Sequence, residues 1–187
     1  GSFCVALSRV GFQALYAVDI DDYRSEEARS TPPILDFQVA DLSFDALRWP
    51  DGFFDLITAW CLLPQLENPH HCIREVHRVL RPGGLFVISM PHITSLFARK
   101  RFFRFGEVER YTRENDHISI FTPALVHKMI MRYFAPVAVH YFTDLDKIRR
   151  GRLGFLKVTG LTSEWFGRRK FEEWFGHNIV YVLEKPC

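Results

Sequence analysis

The run Leu85-Phe86-Val87-Ile88-Ser89-Met90 follows directly on Arg81-Pro82-Gly83-Gly84, and it is apolar almost without a break. A short strand with no polar face must be buried on both sides, the position of a central strand in a parallel sheet covered by helices. Ala14-Leu15-Tyr16-Ala17-Val18 is a second compact apolar run, and it stops abruptly at Asp19-Ile20-Asp21-Asp22. A weaker strand, Ile34–Val39, likewise ends in Ala40-Asp41-Leu42. After the turn Trp49-Pro50-Asp51-Gly52, Phe53–Trp60 reads as a further strand. Helical spacing fills the intervals. Phe3, Leu7 and Val10 lie on one face before Gly11, and Asn68-Pro69 caps a helix carrying Ile73, Val76 and Leu80. Thr122-Pro123 opens another that should run to about Tyr133, and Val137–Phe142 and Ile179–Leu183 are strand-like. Strands alternating with helices predict an α/β fold. The expected form is Rossmann-like and doubly wound, mainly parallel, with Ile179–Leu183 antiparallel at or near an edge.

At ~100–200 residues per domain, 187 residues make one domain, 1–187. Two stretches interrupt its rhythm, at about 93–120 and 144–176. Both are rich in Phe, Lys and Arg, and together they carry +5 while the rest of the chain carries −3. They read as insertions on the side where α/β folds place ligand-contacting loops. They could lie on an anionic membrane surface, or cover an apolar acceptor as a lid with its cations outward. The net charge of +2 is too small to announce a nucleic-acid binder. Four cysteines without a Cys-x-x-Cys argue against a zinc knuckle or a disulfide framework, and a cytoplasmic protein with reduced thiols is expected.

In an open α/β sheet, ligands bind beyond the carboxyl ends of the strands. Asp19 stands at such an end, where a carboxylate can accept two hydrogen bonds from a ribose diol. It could equally cap the next helix. Asp41 could accept from an adenine amine or serve as an ordinary turn aspartate. His92, after the central strand, and His117 are the candidate catalytic bases, since a histidine takes a proton near neutral pH. Each could instead be hydrogen-bonded within the fold. Trp60 and Tyr111 are further acceptor-side candidates. His70-His71-Cys72 cannot chelate as a set, because adjacent helical residues diverge by ~100°. The chain has no Gly-x-Ser-x-Gly elbow and no Walker loop.

Taken together, Val18-Asp19-Ile20-Asp21, Ala40-Asp41-Leu42, Pro50-Asp51-Gly52-Phe53-Phe54-Asp55-Leu56-Ile57 and Arg74-Glu75-Val76-His77-Arg78-Val79-Leu80-Arg81-Pro82-Gly83-Gly84-Leu85 resemble a class I S-adenosylmethionine-dependent methyltransferase. The likeness runs from Gly1 to about Phe142, and it is strongest to the small-molecule branch that includes quinone-type O-methyltransferases. It implies S-adenosylmethionine as cofactor. Asp19 would hold the ribose, Ile20 would pack on the adenine, and Asp41 would face its amine, with Leu42 alongside. Ala59 and Trp60 would line the methionine side, and Asp55 would be structural. Gly1 would be the last residue of the family's Gly-x-Gly-x-Gly turn, with that turn and the first strand expected just before Phe3. Relatives place that strand at the centre of the sheet, so Ala14–Val18 and Phe53–Trp60 should flank a gap or pair irregularly. Residues 1–187 by themselves are then expected neither to bind the donor tightly nor to turn over. Leu63-Pro64-Gln65-Leu66 departs from the polar pair that many relatives carry. The implied activity is methyl transfer to a small-molecule or lipid-like acceptor. The alternative is a catalytically silent module that binds a partner protein, membrane or nucleic acid through its basic aromatic insertions.

Overall fold

The computed structural model describes residues 2–24, 26, 29, 34–142 and 168–187. Helix α1 (Ser2–Arg9) leads into β1 (Leu15–Asp19), and β2 (Ile34–Val39) and β3 (Phe54–Trp60) follow. A short 3₁₀ turn (Leu63–Gln65) precedes α2 (Pro69–Val79), β4 (Leu80–Pro91) and α3 (Leu96–Phe105). The chain closes with α4 (Pro123–Met129), β5 (Ala135–Phe142), α5 (Arg168–Phe175) and β6 (Asn178–Glu184).

Among the described residues the strands form two sheets. Parallel β1 and β2 make one, with Asp19 opposite Val39; the other runs in the order β3-β4-β6-β5. There β3 and β4 are parallel, with Trp60 opposite Ser89, while β6 is antiparallel to both β4 and β5. The expected single sheet is therefore divided. Among the described residues, β1 and β3 each have a strand partner on one side only. Their other edges border a common slot, the gap expected between these two strands. Aromatic rings bridge its lower end. Tyr16 of β1 meets Trp49, Phe53 and Phe54 edge-on at 5.8, 5.2 and 5.4 Å, and Trp49 meets Phe54 at 5.1 Å. Edge-to-face packing at these distances is the favoured aromatic geometry. Rings thus join the sheets here in place of a backbone ladder.

The core is centred on β4. Leu80, Phe86, Ile88 and Met90 are fully buried, covered by Ile73, Val76 and Val79 of α2 and by Val126, Ile130 and Phe134 in and after α4. Asn68 caps α2 by accepting from the His71 N–H, and at the other end Lys185 Nζ donates to the carbonyls of His77 and Leu80. A cation at a helix C-terminus satisfies carbonyls that lack an intrahelical donor.

Two boundaries differ from expectation. β4 begins at Leu80 and runs through Pro82-Gly83-Gly84, because Gly83 N–H donates to the Lys185 carbonyl and Lys185 N–H to that of Gly84. The register against β3 slips between Phe54 and Leu56 to absorb the extra residues. The helix expected to reach Tyr133 ends at Met129, where tight turns bring Ile130 and Phe134 inward. As expected, β6 is antiparallel and near an edge, one strand in from β5. Of the two insertions, 93–120 contributes α3 and irregular chain, whereas 144–167 lies outside the described residues together with Trp165 and Phe166. No described helix is long and apolar enough to cross a membrane.

Candidate cofactor and acceptor site

Parallel pairing brings the carboxyl ends of β1 to β4 to one edge. The last rung of the β1–β2 ladder is the Ala40 N–H donating to the Asp19 carbonyl at 2.9 Å. Asp19 Oδ1 accepts from the Ile20 N–H, and Asp41 Oδ1 from the Ser43 N–H at 2.8 Å. Each carboxylate thus has one oxygen fixed by its own turn and a second with acceptor capacity. Asp19 and Ile20 are exposed, and Leu42 is buried beneath them.

Asp19, Ile20, Asp41, Leu42, Ala59 and Trp60 all line one cavity of about 900 Å³. That volume lies at the upper end of the ~300–1,000 Å³ usual for cofactor sites. It has two parts. The upper part is the crevice at the strand ends, and the lower part is the slot between β1 and β3. Behind the slot's wall the buried indole N–H of Trp49 has no acceptor among the described residues. Trp60 is 46% exposed and meets Phe3 of α1 edge-on at 5.2 Å, so α1 closes the crevice from the side of the chain's start. Gly1 lies outside the described residues.

Asp19, Asp41 and Glu67 give the cavity walls an acidic character, and the one arginine among its described lining residues, Arg24, is neutralised by Asp22 at 2.8 Å. That pairing holds the Asp22 carboxyl well below the usual carboxylate range and raises the Arg24 guanidinium. Arg24 also lies over the Phe37 ring at 4.2 Å. Carboxylates, apolar Ile20 and Leu42 and an indole are a set that fits a cationic nucleoside.

Residues 1–88 match the methyltransferase domain family. Nearly half of the chain is therefore similar to a methyltransferase domain. A 59-residue stretch is 36% identical to the ubiquinone/menaquinone biosynthesis C-methyltransferase UbiE of Hydrogenovibrio crunogenus, covering 31% of this chain and 23% of that one. The chain spans less than a quarter of the length of the curated relatives it matches. The fold extends further. An S-adenosylmethionine-dependent methyltransferase from Mesorhizobium loti superposes with a TM-score of 0.62 at 19% identity, covering 98% of this chain and 85% of that one. The [4+2]-cyclase SpnF superposes equally well, at 0.62 and 16% identity, over 98% of this chain and 71% of its own. Fold alone therefore does not decide the reaction. S-adenosylmethionine is the cofactor that this likeness supports, and the carboxylates and apolar side chains of the cavity fit it.

The two candidate bases are not among the cavity's lining residues. His92 is buried behind β4, with Nδ1 3.2 Å from the Gly176 carbonyl and its ring 4.9 Å from Tyr141. Burial pushes its pKa down, partly offset by that carbonyl. His117 is half-buried; its Nδ1 lies 2.7 Å from the Arg110 carbonyl, and its ring 5.3 Å from Tyr111. A carbonyl only accepts, so Nδ1 carries the proton in both and Nε2 is the basic atom. Burial likewise pushes the Tyr111 phenol up to about 12. The segment after His117 is tied to the cavity wall: the Ile118 and Ser119 N–H groups donate to the Pro64 carbonyl at 2.8 and 2.9 Å. Pro64 sits in the 3₁₀ turn whose Gln65 lines the cavity.

Sequence reasoning missed that wall. Gln65 Nε2 donates to the carbonyl of Cys61, whose φ of 49° is left-handed, and Cys61 N–H is held by both the carbonyl and the hydroxyl of Ser89. The only signal was the departure at Leu63-Pro64-Gln65-Leu66. His70, His71 and Cys72 diverge as expected: Cys72 is buried, His71 Nε2 lies 3.0 Å from the Asp45 carbonyl, and His70 is exposed. Asp55 pairs with Arg81 at 2.5 Å.

Proposed function

We propose that the full-length protein transfers the methyl group of S-adenosylmethionine to a small-molecule or lipid-like acceptor. The observation that carries the reading is the convergence of Asp19, Asp41 and Trp60 on one cavity at the carboxyl ends of the strands. When bound, S-adenosylmethionine supplies a sulfonium methyl open to in-line displacement. The protein's work is then alignment and exclusion of water. Asp19 would accept from the ribose hydroxyls, Ile20 and Leu42 would hold the base, and Asp41 would accept from its amine. Trp60, braced by Phe3, would keep water from the reacting face.

An acceptor that enters protonated needs a base. The Nε2 of His117 suits this, its segment being tied to the cavity's 3₁₀ wall. A relative named for ubiquinone and menaquinone biosynthesis favours an apolar acceptor. The four cysteines are free, which suits a reducing compartment such as the cytoplasm. The test is incubation of the full-length gene product with methyl-labelled donor and a panel of quinols, phenols and lipids. Label in an acceptor is expected; donor binding without transfer to any acceptor would support the silent-module alternative.

A further inference from the structure

We propose that α3 is a docking element for an anionic lipid bilayer. Residues 96–105 hold Arg99, Lys100, Arg101 and Arg104 and no acidic residue. Three phenylalanines on the same helix face water, Phe102 at 54%, Phe103 at 87% and Phe105 at 61% exposure. At about 100° per residue, Phe103 lies about 40° from Arg99 on one side and about 60° from Lys100 on the other. The most exposed ring is thus flanked by two cations. Beside it runs a groove of about 370 Å³ lined by Ile93, Ala98, Arg99, Phe102, Phe103 and Val108.

The helix is firmly seated on its other side. Ser95 caps it by accepting from the Ala98 N–H, Ala98 is buried, and Phe97 packs against the rings of Phe175 and His177 at 5.5 and 5.6 Å. Gly106, at φ 68°, closes the other end in the left-handed conformation that glycine adopts without strain. A lid folded onto its own domain would turn its rings inward, and Phe102, Phe103 and Phe105 point out. A ring between cations is the composition of a helix that sits in the headgroup layer, with Phe103 entering the acyl boundary, Phe102 beside it, and Phe105 on the far side under Arg101 and Arg104.

A second copy of the chain fits less well. Two copies of this helix would bring like charges together. α3 follows β4 at the strand end where Trp60 stands opposite Ser89, so docking would turn the crevice edge toward the bilayer. The proposal rests on the helix itself and not on the methyl-transfer reading.

The test is flotation of the full chain with phosphatidylcholine vesicles with or without phosphatidylglycerol, at low and high salt. Binding to the anionic vesicles that salt weakens, and that soluble glycerol phosphate does not compete away, is expected. Phe103→Ser and the pair Lys100→Glu/Arg104→Glu should each lower the bound fraction about tenfold. These side chains are exposed, and unchanged circular-dichroism melts check that the variants fold. Equal partition onto neutral and anionic vesicles, competition by glycerol phosphate, or displacement by single-stranded RNA would overturn the proposal. So would variants that fold and bind like the parent.

Discussion

The Ala40 N–H donates to the Asp19 carbonyl across 2.9 Å, so a single ladder hydrogen bond sets the spacing of the Asp19 and Asp41 carboxylates. Neither strand end could drift without breaking it. The pair is therefore preorganised before any ligand arrives, which spares a bound nucleoside the entropy of ordering them.

Asp19→Ala should weaken S-adenosylmethionine binding. A hydrogen bond to a charged acceptor contributes ~1.5–3 kcal/mol, roughly ten- to a hundredfold in affinity. Asp19 is exposed at the crevice mouth, so the substitution leaves no buried group unpaired and the melting temperature should hardly move. Isothermal calorimetry on the full-length protein measures the change, and unaltered affinity would remove Asp19 from the site.

Much of this was legible because the signals were local. Leu85–Met90 has no polar face, so burial on both sides was its one outcome, and Asn68-Pro69 carries both a cap and a fixed φ. The strand-end aspartates could be read because parallel topology sends every such end to one edge. What stayed hidden depends on distant partners. Lys185 converts the Pro82-Gly83-Gly84 turn into strand from 101 positions away, and Gln65 reaches the cavity through a short turn with no period of its own. The partition into two sheets was foreseen only as a gap, since nothing local says that Tyr16, Trp49, Phe53 and Phe54 would bridge it.

Gly83 and Gly84 have different reasons to be glycine. Gly83 adopts φ 72°, whereas a Cβ on Gly84 would stand 2.8 Å from the Arg81 carbonyl oxygen and 2.9 Å from two atoms of the Leu80 side chain. Leu80 is fully buried, and the Arg81 oxygen is backbone, so neither can yield cheaply. Gly84→Ala should cost about 1–3 kcal/mol, a fall of several degrees in Tm for a chain of this size. Scanning calorimetry that finds Gly84→Ala as stable as the parent would show that this end of β4 can shift.

Arg78 ties α2 to the turn before β3. It donates to Glu75 at 2.8 Å, to Asp51 at 2.8 Å and to the carbonyls of Trp49 and Leu47, while Glu75 accepts from the Leu47 N–H at 2.9 Å. The Arg78 hydrogen bonds above all hold the Glu75 carboxyl below its ordinary pKa. A carboxylate so depressed stabilises the fold above its unfolded pKa of ~4.3, and that contribution is lost as pH falls through the lowered folded value. Glu75→Gln should therefore cost about 1–2 kcal/mol near neutrality. Denaturant titrations of the two proteins should converge in acid; a constant difference across pH would mean that the carboxylate's charge is not what matters.

His92 and His117 should separate by experiment. His92 is buried, donates from Nδ1 to the Gly176 carbonyl, and has its pKa pushed down by burial, so it is neutral in the fold. A histidine with a lowered folded pKa stabilises the native state above its unfolded value of ~6.5, and the contribution drains away as pH falls from there toward the folded pKa. His92→Gln should thus lower Tm, and the deficit should be larger at pH 8 than at pH 5. His117→Gln should instead act on catalysis. It keeps a donor for the Arg110 carbonyl but loses the basic Nε2, so kcat for a protonated acceptor should fall by the ~10²–10⁴-fold that general-base catalysis contributes. Its Tm should stay close to the parent's, because the ring is only half-buried. An acceptor that reacts already deprotonated should be methylated equally well by parent and His117→Gln. If the His117 variant keeps the parent's pH-rate profile on every acceptor, the base lies elsewhere.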